Sequence, residues 1–297
     1  MTEKPPAGLC HNGSPECELA LNAFCPKSQD MIRHTLISAL LVYGLSAGVT
    51  AAQSQQVVSL EVLPGWRTAD GTHIAALKIQ LAPGWKTYWR APGDAGIPPM
   101  IDWSGSENLV KMMPLWPTPE VFSQNGMNSV GYKKELVLPV VLTPQDAKRP
   151  ISLSGAMQIG ICNDICVPAD LDFDMTLPLA RVRDATISAA LTNQPYSAAK
   201  AGVGRVSCDI SLSSDGVALS ATLEMPPTGA FEYAIVETAD PEIWVAEAQT
   251  QRDGNTLTVQ TELMQMYGDS FVLDRSGLRV TVLGSEHAVD IQGCSPN

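Results

Sequence analysis

From residue 57 to residue 177, apolar and polar positions alternate in short runs separated by Pro, Gly, Asn and Asp. In residues 73–81, Ala75, Leu77, Ile79 and Leu81 interleave with Ile74, Ala76, Lys78 and Gln80. That period of two is the signature of a strand with one inward face, here the first set. Residues 171–177 alternate more cleanly, with Leu171, Phe173, Met175 and Leu177 against Asp172, Asp174 and Thr176. The same pattern predicts a strand at 57–63 closed by a Pro64-Gly65 turn, and others at 100–103, 109–116, 136–142 and 151–159. Residues 85–90 concentrate the aromatic and β-branched side chains that suit a pleated surface. Residues 91–99 carry too much Pro and Gly for regular structure and read as a loop.

The pattern changes between residues 181 and 203, where Asp184 precedes an Ala-rich stretch ending at Asn193-Gln194-Pro195. Asp184 is a candidate N-cap of a short helix. Beyond it, runs at 206–212 and 217–223 flank Asp215-Gly216, a hairpin signal, and further strands are predicted at 233–236, 256–263, 271–273, 278–283 and 288–291. The fold expected is all-β: a first sandwich at 53–180, a helical linker at 181–203 and a second sandwich at 204–297.

Composition places the chain in a compartment. The 297 residues are 45% apolar and 17% charged, which suits a folded chain of about two domains. From Met31 a basic start, an apolar run through Leu45 and small residues up to Ala52 have the form of a secretory signal peptide at 31–52. A cleaved leader is favoured over a retained anchor because the apolar run is short for a bilayer. Residues 1–30 lie upstream of that signal and read as a non-native N-terminal extension; their Cys10, Cys17 and Cys25 lack the tight spacing of a metal knuckle with His11. Charge is uneven: residues 204–297 hold 4 Arg, no Lys and 14 Asp+Glu, hence 4 − 14 = −10. Such a field repels nucleic acid and excludes it as a partner.

Downstream of the signal four cysteines remain, Cys162, Cys166, Cys208 and Cys294, and three pairings are open to them. The favoured one joins Cys162 to Cys166 and Cys208 to Cys294. On the chain-entropy view the first link restrains the unfolded chain by only about 2 kcal/mol, against roughly 4.6 kcal/mol for the second. The close pair is a weak staple and reads better as a redox pair, with Gly160 or Pro168 fixing its turn. Asp164, lying between the cysteines, is expected to oppose thiolate formation. No metal site is expected: His73 and His287 are isolated, and Met112, Met113, Met127, Met264 and Met266 read as core fillers before Cu(I) ligands. Neither C-x-x-C nor C-x-x-C-H occurs downstream of the signal, and the sulfurs themselves carry two electrons, so no cofactor is required.

Three stretches taken in order, the run from Leu81 to Gly96, the run from Gly131 to Val140, and Cys162-x-x-x-Cys166-x-Pro168, resemble the periplasmic N-terminal domain of the DsbD family, with the pattern of its ScsB-type branch. The resemblance implies an immunoglobulin-like sandwich whose cysteine pair accepts electrons from a membrane-embedded thiol transporter and passes them to periplasmic disulfide-containing proteins. It implies a cap loop over the pair, by position residues 122–132, with Phe122 or Met127 as the shield and Tyr88 and Tyr132 in the site. No membrane or thioredoxin-like domain follows in the sequence, so the expectation is that the donor is a separate protein or that electron transfer has been lost. The reading from another class is a non-catalytic binding or chaperone-like module with two structural disulfides, serving copper tolerance or cytochrome maturation.

Overall fold

The structure is a computed structural model that describes residues 57–124, 126–213, 216–266 and 271–296. The expected extension, the signal peptide and Asp215 of the expected turn lie outside the described residues, which all fall within one compact unit, Gln55–Asn297.

The first sandwich is built from β1 (Val58–Arg67), β2 (His73–Leu81), β3 (Lys86–Tyr88), β4 (Met100–Asp102), β5 (Leu109–Pro114), β6 (Glu120–Gln124), β7 (Met127–Lys133), β8 (Glu135–Pro144), β9 (Ile151–Cys162) and β10 (Cys166–Leu177). One sheet runs β1-β2-β8-β5 and the other β10-β9-β3-β7-β6, with β4 also paired to β9. Their inner faces share one core, to which Leu77, Ile79, Leu138 and Val140 come from the first sheet and Ile159, Ile161 and Phe173 from the second. Trp89, just past β3, is wholly buried among them.

Helix α1 (Ala185–Thr192) starts at Asp184, whose carboxylate accepts from the Ile187 N–H at 2.8 Å, and stops at Asn193. Its buried Ile187 packs on Trp66 and Ala76 of the first sandwich. The second sandwich comprises β11 (Tyr196–Ser197), β12 (Val206–Leu212), β13 (Val217–Glu224), β14 (Glu232–Glu237), β15 (Ile243–Val245), β16 (Gln249–Asp253), β17 (Thr256–Gln265), β18 (Arg279–Gly284), β19 (Ala288–Gln292) and β20 (Ser295–Pro296). Its sheets run β11-β19-β18-β14 and β15-β17-β13-β12-β20, with β16 on β17. The fold is all-β, two immunoglobulin-like sandwiches joined by a short helical linker. Ile235, Leu283 and Ala288 of the second sandwich pack into the core cluster of the first.

Four expectations are corrected. Pro64-Gly65 does not end β1; the strand runs on to Arg67 through a register shift between Leu63 and Trp66. Gly65 there has φ +62, and a Cβ on it would lie 1.7 Å from the Ile74 carbonyl oxygen, so the dipeptide makes a bulge, a use of glycine that resembles a turn in sequence. Residues 122–132 are not an irregular loop but most of the β6–β7 hairpin. Residues 85–90 contribute only three residues of strand, and residues 271–273 contribute none.

Candidate functional site

The β9–β10 hairpin pairs residue for residue from Leu177↔Ile151 up to Cys166↔Cys162. The two cysteines thus form the last rung, closed by a turn of Asn163, Asp164 and Ile165 in which the Asn163 N–H donates to the Ile165 carbonyl at 3.2 Å. Their Cα atoms are 4.2 Å apart and the sulfurs are joined. Gly160 and Pro168, the expected turn residues, sit instead inside the ladder opposite one another. Proline is tolerated there because β10 is an edge strand. Gly160 serves close packing: a Cβ on it would come within 2.7 Å of Ile97 Cβ and 3.0 Å of the Tyr88 ring.

That cleared space brings Tyr88 to the sulfurs. Its hydroxyl lies 2.7 Å from Cys162 Sγ and 3.2 Å from Cys166 Sγ. Bonded sulfurs carry no hydrogen, so the hydroxyl is the donor. Burial pushes the Tyr88 pKa up, which keeps that donor protonated. The same hydroxyl is 3.4 Å from the Ala95 carbonyl, and Gly96 leaves room for the ring's other edge. Loop 91–99 therefore folds over Tyr88, held to β7 by the Val130 N–H donating to the Pro92 carbonyl at 2.9 Å.

The sulfurs differ in access. Cys162 is 1% exposed, whereas Cys166 is exposed at the rim beside Ile165, itself 68% exposed. Register explains what surrounds Cys162: Lys86 is its partner on β3, and Lys86 also faces Lys133 on β7. Alternation puts Lys86, Tyr88, Lys133 and Cys162 on the face away from the core. Phe122 of β6 joins them, 6% exposed, with Lys86 Nζ 5.2 Å and Lys133 Nζ 4.5 Å from its ring centroid. A cavity of about 380 Å³ opens here, lined by Lys86, Phe122, Lys133, Cys162, Asn163 and Asp164 among others.

Of the residues expected in the site, Tyr88, Phe122 and Asp164 are brought to the pair. Met127 is 56% exposed at the hairpin tip and does not line the cavity. Tyr132 is corrected: its strand parity turns it to the core, where its hydroxyl donates to the Pro117 carbonyl at 2.8 Å. Lys86, Lys133 and loop 91–99 were not expected in the site. The available signal was alternation in residues 85–90, which sets Lys86 and Tyr88 on one face.

Elsewhere, Cys208 and Cys294 are joined, their Cα atoms 5.8 Å apart, where β20 runs parallel to β12. His73 is fully buried and His287 stacks on Tyr196. Among the described residues no group of three or more His, Cys, Asp or Glu could hold a metal, and no helix is long and apolar enough to cross a membrane.

Residues 53–178 match the model of the family described as "Thiol:disulfide interchange protein DsbD, N-terminal". This part of the chain is a DsbD N-terminal-like domain, a module of the thiol:disulfide interchange class. The fold is similar to that of the N-terminal periplasmic domain of ScsB from Proteus mirabilis, with a TM-score of 0.63 and 23% identity over 82% of this chain and 96% of that one. A search of curated proteins found no match.

Proposed function

We propose that the chain is a periplasmic thiol:disulfide exchange protein that relays electrons through Cys162 and Cys166, from a membrane-embedded thiol transporter to proteins with disulfides. The observation that carries this reading is the asymmetry of one joined pair: Cys166 open at the surface, Cys162 covered and met by the Tyr88 hydroxyl. A purely structural disulfide needs neither feature.

A donor thiolate attacks Cys166 Sγ, the sulfur it can reach. The Cys162–Cys166 bond breaks, a mixed disulfide forms at Cys166, and the electron pair stays on Cys162 as a thiolate that accepts from Tyr88. The donor's second thiolate then attacks the donor sulfur of the mixed disulfide and releases Cys166. After two protons are taken up the chain holds a dithiol and the donor a disulfide. Delivery runs the same steps backwards, with Cys166 attacking the acceptor's disulfide and Cys162 resolving.

The test is trapping with a disulfide-containing partner protein in the Cys162→Ala and Cys166→Ala variants, where the lone thiol attacks the partner's disulfide and the resolving cysteine is missing. Cys162→Ala is expected to hold a stable mixed disulfide through Cys166, and Cys166→Ala to hold little. A reduction potential for the wild-type pair below about −300 mV, with no trapped species, would return both disulfides to a structural role.

A further inference from the structure

We propose that Lys86 is a positioning residue for this exchange: its ammonium, reinforced by that of Lys133, stabilises the thiolate that Cys162 becomes when the disulfide opens. The proposal rests on the exchange reading above and assigns the sulfur that carries the charge.

The geometry comes from strand pairing. β3 lies between β9 and β7, and Lys86 is the direct partner of Cys162 on one side and of Lys133 on the other. Side chains directly opposite in an antiparallel pair have Cβ atoms about 4.5–5.5 Å apart. Two like charges so placed cost stability, and burial together with the Lys133 charge pulls the Lys86 pKa down. The arrangement is nonetheless held firmly: both ammonium groups rest on the Phe122 ring, and Lys86 Nζ also donates to Ser129 Oγ at 3.4 Å. Positive charge is thus gathered on the wall of the cavity where Cys162 lies.

Other titratable side chains also bear on Cys162. Tyr88 on β3 donates to the sulfur. Glu120 on β6 is paired with Lys133 at 3.4 Å, both of them exposed. Asp164 in the turn is the anion the sequence suggested would oppose a thiolate, but it is exposed to screening water, while Lys86 is only partly so. The lysines therefore outweigh it. In the exchange step Lys86 keeps its protons and forms no bond; when the sulfur–sulfur bond breaks, the electron pair settles on the sulfur whose ladder partner carries the cation and shares its cavity, which favours Cys162 as leaving group.

The experiment is a thiolate absorbance titration at about 240 nm, which needs no reagent to reach the buried sulfur. It uses the full chain carrying Cys166→Ala with Cys10, Cys17 and Cys25 replaced by Ser, so that they add no thiolate signal, and with Lys86 intact or replaced by Met or Arg, each checked for an unchanged fold by circular dichroism. Lys86→Met is expected to raise the Cys162 pKa by about one unit, a tenfold loss of thiolate below that pKa, and Lys86→Arg to restore most of it. Lys133→Met is expected to move it less, and salt at about 1 M to shrink the Lys86 effect. A titration that Lys86→Met leaves in place overturns the proposal even if exchange proceeds. A shifted titration in a chain that forms no mixed disulfide supports the charge assignment and overturns the exchange reading instead.

Discussion

The guanidinium of Arg90 reaches across to the second sandwich and meets both carboxylate oxygens of Glu237, each at 2.9 Å. Arg90 stands at the start of the loop that covers Tyr88, and its guanidinium also lies 3.9 Å from the centre of the Trp89 ring. The forked pair is mostly shielded, with side chains 17% and 19% exposed. It ties the loop beside the redox pair to β14.

Arg90→Ala is expected to destabilise the chain by about 2 kcal/mol, since it removes a charge-assisted fork and leaves Glu237 without it. Lys restores less than half of that, because an ammonium cannot bind both oxygens in one plane. Urea unfolding of the three proteins measures the difference; equal stabilities would show that the pair does not hold the loop.

Tyr88→Phe removes the hydroxyl at Cys162 and leaves the ring to fill its slot. A hydroxyl strengthens its bond when the sulfur gains charge, so it favours the reduced state. The variant is expected to have a reduction potential about 30 mV more negative, equivalent to about 1.4 kcal/mol. Equilibration against dithiothreitol reads this directly, and an unchanged potential would mean that the contact is indifferent to charge.

The two disulfides are expected to differ as staples. Replacing Cys208 and Cys294 with Ala should cost several kcal/mol, because their separation of 86 residues closes a long loop. Replacing Cys162 and Cys166 should cost about 2 kcal/mol or less, because theirs is 4. Denaturation midpoints of the two double variants give the order, and a larger loss at the close pair would make that pair structural.

His73 makes stability depend on pH. Its Nε2 lies 2.6 Å from the Pro64 carbonyl at the bulge, while Nδ1 is buried with no hydrogen-bond partner among the described residues. Desolvation lowers its pKa below the ordinary value, with the Arg67 charge adding to that and the Pro64 contact opposing it. The unfolded chain therefore takes up a proton near pH 6.5 that the folded chain refuses until the pH is lower. Between those two points the unfolded state holds more protons, so stability falls as the pH falls, by at most about 1.4 kcal/mol per pH unit from this residue. His73→Gln should flatten that part of the stability–pH curve, measured by urea unfolding from about pH 7.5 to about pH 5.

Much of the frame was legible because strand patterns are local. Residues 73–81 and 171–177 announced themselves by alternation, and both became strands with the expected inner faces. The helix was legible from Asp184 and Asn193 for the same reason: a cap acts within one turn. β6 and β7 were missed because Glu120–Lys133 has no steady period; both of its faces are covered in part, one by the core and one by the lysine–phenylalanine cluster. Pro64-Gly65 was misread because a bulge and a turn ask the same of the backbone, and only the partner strand tells them apart.

The sequence by itself determined that two cysteines four apart end adjoining strands, and that an aromatic, lysine-bearing strand precedes a Pro- and Gly-rich loop. Only the tertiary structure decided that Lys86 stands against Cys162, more than seventy residues away, that the Tyr88 hydroxyl meets its sulfur, and that Tyr132 turns inward. The reason is physical: a period of two assigns side chains to two faces, but which face meets the core, and what lies across the ladder, is set by register with strands far along the chain. Cys162 and Cys166 share one face; the first is covered because β9 has β3 beside it, and the second is open because β10 is an edge strand.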